Sequence, residues 1–210
     1  MVFHDRIEAG QRLAEALRYL KGQRPLVLAI PRGAVPMSKV VADALDGELD
    51  VVMVRKIGAP YQPEFALAAV DESGWVYRNP YAGDDEESAR YIEAQRVTEL
   101  AVIHRRRAQY TPGRAPVSPA GRVVIVVDDG LATGATMIAG LHAVRQQQPA
   151  RLICAVPVAP FDVLAKMQRH ADEVVCLFTP TFFQAVGQFY THFNQVEDGE
   201  VIAVLAMVGK

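Results

Sequence analysis

The residues best suited to chemistry lie in one stretch, 123–136, where two adjacent carboxylates separate an apolar run from a series of small residues. Five β-branched residues precede Asp128 and Asp129, and this run predicts a buried strand. Gly130 and Gly134 follow, and glycine lets the backbone approach a ligand closely. The next residues lead into a predicted helix, whose first N–H groups have no intrahelical partner. Those donors, two threonine hydroxyls and the positive helix end together predict a phosphate site.

The two carboxylates need a different partner, because they would repel a phosphate bound beside them. Sugar hydroxyls donate well to carboxylates, and a hydrated Mg²⁺ is a suitable counter-charge. A ribose 5-phosphate satisfies both halves of the stretch, with its phosphate on the loop and its 2- and 3-hydroxyls on Asp128 and Asp129. The stretch therefore predicts a phosphosugar site.

The elements that must position this stretch are short apolar runs that alternate with helical patterns. Continuous apolar strands separated by helices indicate an α/β fold, with a parallel sheet covered by helices on both faces. Ligands bind such sheets beyond the carboxyl ends of the strands. Strands are predicted at 26–30, 51–54, 123–127, 151–157 and 173–178, a hairpin at 65–78, and helices at 36–45, 84–110 and 161–170. The candidate ligand loops are then 31–34, 55–59, 128–136 and 157–160.

The run Val-Ile-Val-Val-Asp-Asp-Gly-Leu-Ala-Thr-Gly-Ala-Thr at 124–136 resembles the signature with which type I phosphoribosyltransferases bind 5-phosphoribosyl 1-pyrophosphate (PRPP). The order of strands and helices agrees with that family over most of the chain. The motifs Pro-Arg-Gly-Ala, Arg-Lys-Ile-Gly-Ala-Pro and Pro-Glu-Phe-Ala are most similar to those of uncharacterised bacterial phosphoribosyltransferase-like proteins. The signatures of the purine and orotate branches are not recognised, so the acceptor stays open.

The resemblance implies Mg²⁺-dependent transfer of the phosphoribosyl group of PRPP to a nitrogenous acceptor, with release of pyrophosphate, in nucleobase or nucleotide metabolism. It implies that Asp128 and Asp129 bind the ribose hydroxyls and hold Mg²⁺ through water. It also matches Arg32 and Gly33 to the pyrophosphate loop, which commonly carries a strained or cis peptide in that family. The residues that it assigns to the 5-phosphate are Ala132, Thr133, Gly134, Ala135 and Thr136.

Two cationic residues of the predicted site can be interpreted either as ligand-binding residues or as ordinary surface residues. Arg32 is predicted to bind pyrophosphate, but an arginine in a turn can also be a surface residue. Lys56 follows the second predicted strand, and its place at the crevice favours pyrophosphate over a strand end in water. With Asp128 and Asp129, these residues make up the predicted catalytic set.

The domain organisation predicted here is a phosphoribosyltransferase-type core at 1–178 and a C-terminal hood segment at 179–210. Within the core, 57–121 contains the hairpin and a flexible helical lid. The aromatic residues of 178–193 either pack a core or form a stacking wall for a base. Arginines of the lid helix either form a solvated face or close on the pyrophosphate: Arg96, Arg105, Arg106 and Arg107.

Composition limits the partners of this 210-residue chain, whose formal net charge is −2. That charge gives no overall attraction to nucleic acid or to an anionic membrane. The N-terminus lacks the apolar region of a signal peptide, and no run approaches a membrane span, so a cytoplasmic location is expected. Cys154 and Cys176 are expected to be free thiols. A homodimer is compatible with this interpretation, but the sequence does not decide the oligomeric state.

Other protein classes fit the motif less well. Receiver domains use scattered carboxylates and lack the Thr-Gly-Ala-Thr loop, a dinucleotide fold needs Gly-x-Gly-x-x-Gly, and a P-loop needs lysine where Ala135 stands. A non-catalytic sensor of PRPP or nucleotides on the same fold stays open as the main alternative, because fold does not fix function. A phosphosugar or nucleotide hydrolase is a more distant one.

Overall fold

The computed structural model describes residues 2–80, 82–83 and 85–207, without the side chains of Pro63 and Glu64. The described residues form two sheets and a set of helices around them. The strands are β1 (Leu26–Ala29), β2 (Glu48–Val51), β3 (Val54–Ala59), β4 (Gln62–Asp71), β5 (Val76–Arg78), β6 (Val123–Val127), β7 (Arg151–Val158) and β8 (Glu173–Phe178). The α-helices are α1 (Arg6–Ala16), α2 (Ala34–Ala44), α3 (Glu86–Tyr110), α4 (Ala135–Arg145), α5 (Phe161–Met167) and α6 (Asp198–Ala206).

The main sheet contains five parallel strands in the order β2-β1-β6-β7-β8. Alternate residues of its strands belong to two separate apolar cores, as the side-chain alternation of a strand requires. Val27 and Ile125 pack in the core that contains α1 and α2, whereas Leu28 and Val126 pack in the core that contains α4. The predicted α/β fold, with a parallel sheet covered on both faces, is confirmed.

The second sheet is antiparallel and has the order β3-β4-β5. The hairpin predicted at 65–78 is confirmed as β4 and β5. The strand predicted at 51–54 is wrong, because β2 ends at Val51. The loop predicted after it is also wrong, since Arg55 to Ala59 belong to β3. Val54 and Ile57 are buried there, and Lys56 is exposed. A partly buried strand therefore replaces the expected loop.

The two ends of the chain meet on the α1 face of the main sheet. Phe3 forms a parallel bridge with Tyr190, and both side chains are buried. Val201 and Leu205 of α6 belong to the same apolar core as Phe3. The segment named as a hood is thus packed into the core, while its function as a hood stays a prediction. Among the described helices, none has the length and apolar character needed to cross a bilayer.

Candidate functional site

The site is built where β1 and β6 lie side by side at their carboxyl ends. The Ile30 backbone N–H donates to the Val127 carbonyl at 2.9 Å, so the loops that follow these strands begin together. Gly33 lies against Asp129, and a β-carbon at Gly33 would clash with the Asp129 carboxylate. This close approach explains the glycine. The Pro31–Arg32 peptide bond in the same loop is cis.

Asp128 and Asp129 form a pair of adjacent, half-buried carboxylates. The Asp129 backbone N–H donates to Asp128 Oδ1 at 2.9 Å. Burial raises the pKa of Asp128 well above its ordinary value, and the neighbouring Asp129 charge raises it further. Burial also raises the pKa of Asp129, although Arg6 opposes that shift. Two carboxylates this close together and partly enclosed carry an electrostatic cost that a cation or hydroxyl donors can relieve.

Arg6 is a site residue that sequence reasoning missed. Its Nε donates to Asp129 Oδ2 at 2.8 Å, its Nη1 donates to the Asn194 carbonyl at 2.7 Å, and its guanidinium lies 3.9 Å above the centre of the Phe193 ring. The signal that could have revealed it is its place in the first turn of α1, directly after the N-cap Asp5. A cation is unfavourable at that end of a helix, which suggests an anionic partner elsewhere.

The predicted 5-phosphate loop has the backbone that its glycines require. Gly134 has φ +79° and is the N-cap of α4, and a β-carbon there would lie 2.8 Å from Met167 Cε. Thr133 Oγ1 accepts from the Ala135 backbone N–H at 3.4 Å, which draws that hydroxyl toward the helix start. The other first-turn N–H groups of α4 lack intrahelical partners, and Thr136 stands among them, half-buried. An anion fits this position.

A cleft of about 480 Å³ opens beside the two loops. Arg32 is 24% exposed there, with Nη1 3.5 Å from Glu197 and 3.9 Å from Asp198. The structure thus brings Arg32 and Gly33 together with Asp129. The lining residues are Arg6, Arg32, Gly33, Asp129, Val186, Phe193, Gln195 and Val196.

Lys56 is not among the described residues that line this cleft. It lies in β3, in register with Ala69 of β4. The expectation that it occupies a loop at the sheet edge is wrong, because the backbone there pairs with β4. A contact between Lys56 and pyrophosphate stays a prediction.

The arginines of the predicted lid have varied partners. Arg107 donates to Glu72 at 2.8 Å and to the Val51 carbonyl at 3.0 Å, which ties the end of α3 to the core. Arg96 pairs with Glu93 on its own helix, Arg106 lies 3.9 Å from Asp198, and Arg105 is exposed. A separate cavity of about 420 Å³ includes Arg107 in its lining but none of the residues predicted for PRPP.

The C-terminal aromatic residues divide between the two interpretations. Phe189 and Tyr190 are buried, and the Tyr190 hydroxyl donates to the Asp129 carbonyl at 2.6 Å. Phe182 is 69% exposed. Core packing therefore accounts for Phe189 and Tyr190, and base stacking stays a prediction for the exposed ring. Cys154 and Cys176 are both free thiols, as expected.

Comparisons with known proteins show what this chain is similar to. The model of the phosphoribosyl transferase domain matches residues 4–193. A proposed phosphoribosyl transferase of Mycobacterium tuberculosis is 41% identical over 205 residues, which are 97% of this chain and 46% of the relative. This chain therefore spans about half the length of the curated relatives it matches. A ribose-phosphate pyrophosphokinase of Prochlorococcus marinus is 27% identical over 120 residues, which are 56% of this chain and 36% of that protein.

A solved structure is similar over the whole chain. The crystal structure of TT1426 from Thermus thermophilus has a TM-score of 0.80 and 45% sequence identity, and the match covers 98% of both chains. The sheet described above and its covering helices are thus shared with a protein of the same size.

Proposed function

Because this chain belongs to the phosphoribosyl transferase domain family, we propose that it transfers the 5-phosphoribosyl group of PRPP to a nitrogenous acceptor and releases pyrophosphate. The proposed setting is nucleobase or nucleotide metabolism in the cytoplasm. The acceptor is a small molecule with a nucleophilic nitrogen. A homodimer stays compatible with this proposal.

One observation carries the proposal: the Asp128–Asp129 pair lies between a loop fitted to a phosphate and a loop that carries Arg32. Asp129 touches Gly33 on one side, and Gly134 begins α4 on the other. A ligand that spans this arrangement needs a phosphate at one end, hydroxyl groups in the middle and a second anionic group beyond them. PRPP has these groups in that order.

The chain's own groups would act mainly by binding and orientation. The start of α4 would hold the 5-phosphate, Asp128 and Asp129 would hold the ribose hydroxyls, and Arg32 would offset the charge of the leaving pyrophosphate. We propose a transition state of oxocarbenium character, with bond breaking ahead of bond making. Placement and charge stabilisation then count for more than any single acid or base.

Magnesium fits the donor set of this site. Mg²⁺ prefers oxygen ligands and keeps several of its waters, and two adjacent, half-buried carboxylates suit a hydrated cation. The described residues contain no group of three or more His, Cys, Asp or Glu side chains arranged around a metal position. Asp128 and Asp129 would hold the ion through its water ligands, and the bound ion would neutralise part of the pyrophosphate charge.

A sensor that binds PRPP or a nucleotide without catalysis is the second candidate function. Arg32 supports it, because its ion pairs with Glu197 and Asp198 link the predicted pyrophosphate loop to the start of α6. Ligand binding at Arg32 would then change the ion pairs at the start of the C-terminal helix. Such a link would let a bound nucleotide change another surface of the molecule.

Calorimetry and a product assay test both functions. PRPP should bind with measurable heat only when Mg²⁺ is present, and a screen of bases and amines should find one that releases pyrophosphate from PRPP. Binding without pyrophosphate release for any acceptor would favour the sensor. Failure of both PRPP and a 5-phosphoribosyl nucleotide to bind in the presence of Mg²⁺ would remove both candidates.

A further inference from the structure

Arg6 is the more enclosed of the two cationic side chains that line the cleft. It is 12% exposed, compared with 24% for Arg32. Its partners lie on three sides: the Asp129 carboxylate, the Asn194 carbonyl and the Phe193 ring. Enclosing a cation in this way is costly unless its partners are well placed. These three contacts therefore hold the guanidinium in place, and they also restrict the movement of the partner groups.

The contact between Arg6 and Asp129 determines which carboxylate oxygen can meet a ligand. Among the described residues, the hydrogen bond to this carboxylate falls on Oδ2, which also faces Gly33. Oδ1 is left for a donor from outside the protein. The Tyr190 hydroxyl fixes the other end of the same residue by donating to its backbone carbonyl at 2.6 Å. Asp129 is thus held at two points by residues far away in sequence.

We propose that Arg6 is a positioning residue, which holds Asp129 in the orientation that binds the ribose hydroxyls of PRPP. It ties this carboxylate to the C-terminal segment 190–196 and does not itself bind pyrophosphate. The inference rests on the proposed function, because it assigns Asp129 to ribose. It adds a residue on α1 that lies outside both predicted ligand loops.

The test compares ribose 5-phosphate and PRPP as calorimetric ligands, both with Mg²⁺. Ribose 5-phosphate lacks the pyrophosphate, so it reports only the ribose and 5-phosphate contacts. Arg6→Gln should weaken both ligands about tenfold or more, the loss typical of a charge-assisted hydrogen bond. Arg6→Lys should bind both ligands more tightly than Arg6→Gln and less tightly than the unmodified chain. Lysine keeps the positive charge but lacks the planar set of donors of the guanidinium. Arg12→Gln is the matched control, since Arg12 pairs with Glu8 on its own helix and is not among the residues that line the cleft.

A double-mutant cycle separates positioning from a general structural effect. If Arg6 acts through Asp129, Arg6→Gln should cost little further affinity in a chain that already carries Asp129→Asn. Thermal unfolding identifies any variant that fails to fold. If Arg6→Gln fails to fold, Arg6→Lys is compared with the unmodified chain in its place.

Several outcomes would overturn the inference. Loss of PRPP affinity with full retention of ribose 5-phosphate would mean that Arg6 contacts the pyrophosphate directly. Fully additive losses in the cycle would show that Arg6 does not act through Asp129. These results leave the proposed function intact. Failure of the unmodified chain to bind either ligand would instead overturn the proposed function, and this inference with it.

Discussion

Arg32 offers the most direct test of the pyrophosphate loop at the level of single residues. A pyrophosphate loop contacts only the group that a nucleoside monophosphate lacks, so Arg32→Ala should weaken PRPP about tenfold or more and leave a monophosphate nearly unchanged. Calorimetry with both ligands measures the difference. Arg18→Ala removes the same charge from an exposed site that pairs with Glu15 and serves as the control. Equal losses for both ligands would reject the assignment.

Asp128 should lower the stability of the fold at neutral pH, since burial raises its pKa. A carboxyl with a raised folded-state pKa stabilises the fold below its ordinary value of 3.8 and loses that contribution as pH rises through the folded-state pKa. Asp128→Asn should therefore raise the melting temperature near pH 7, by about 2–4 °C for each kcal/mol recovered. The same substitution should weaken PRPP binding about tenfold or more, because it removes a charge-assisted hydrogen bond.

The pH dependence separates this effect from a simple change of net charge. The increase in melting temperature caused by Asp128→Asn should become smaller as the pH falls toward about 4. At that pH the folded unmodified protein also carries an uncharged side chain at position 128. Asp46→Asn, on an exposed turn, makes the same charge change and should shift the melting temperature little at any pH. A gain that is constant with pH would contradict the burial argument.

The site residues that sequence could predict are those whose partners are neighbours in the chain. Asp128, Asp129 and Gly134 lie in one continuous motif, and the backbone around them follows from their residue types. Arg6 and Asp129 are separated by 123 positions, and no local pattern joins them. A fold is needed to bring the first turn of α1 to the end of β6. The contact between the Tyr190 hydroxyl and the Asp129 carbonyl was not predictable for the same reason.

Among the elements, the parallel strands were predictable because continuous apolar runs such as Val123–Val127 need burial on both faces. β3 was missed because Gly58 and two charged residues suggested a loop. The strand forms since its backbone pairs with β4, with register irregularities at Gly58. Tertiary pairing overrode the local signal there.

α3 differs from a uniform mobile lid along its length. Ile103 and Tyr110 of its second half are buried, and the Tyr110 hydroxyl donates to Asp198 at 2.5 Å. Its first half buries only Ile92 among the described residues and is tied to β3 through the bond from Tyr91 to the Gly58 carbonyl at 3.1 Å. The prediction that 84–120 moves as one cover therefore narrows to the first half. Asp84 itself lies outside the described residues.

Hydrogen exchange tests this narrower prediction. Without ligand, residues 86–97 should exchange faster than 103–117, because few apolar contacts hold them. PRPP with Mg²⁺ should slow exchange in 86–97 if that half closes on the site. Residues 123–127 are the internal control and should be protected in both states. Equal protection of 86–97 and 123–127 without ligand would identify the helix as a fixed wall.

At the scale of the whole molecule, the predicted C-terminal segment at 179–210 and the predicted core at 1–178 share one apolar core. Phe189, Tyr190 and Leu205 share an apolar core with Phe3 and Leu13 at the other end of the chain. Arg6 and Tyr190 both bind Asp129 at the centre of the site. Neither end can leave without exposing the same core.

The whole chain should therefore unfold in a single transition, although chains of this size often do not. Calorimetric and van't Hoff enthalpies should agree, at about 0.7 kcal/mol per residue near 60 °C. PRPP with Mg²⁺ at about 100 times its dissociation constant should stabilise the chain by about 2.7 kcal/mol and shift that one transition upward. Replacing Leu205 by alanine should lower the same transition, because its side chain is buried against the core that holds the site. Two transitions, with Leu205→Ala moving one and PRPP moving only the other, would show that the C-terminal segment folds separately from the site.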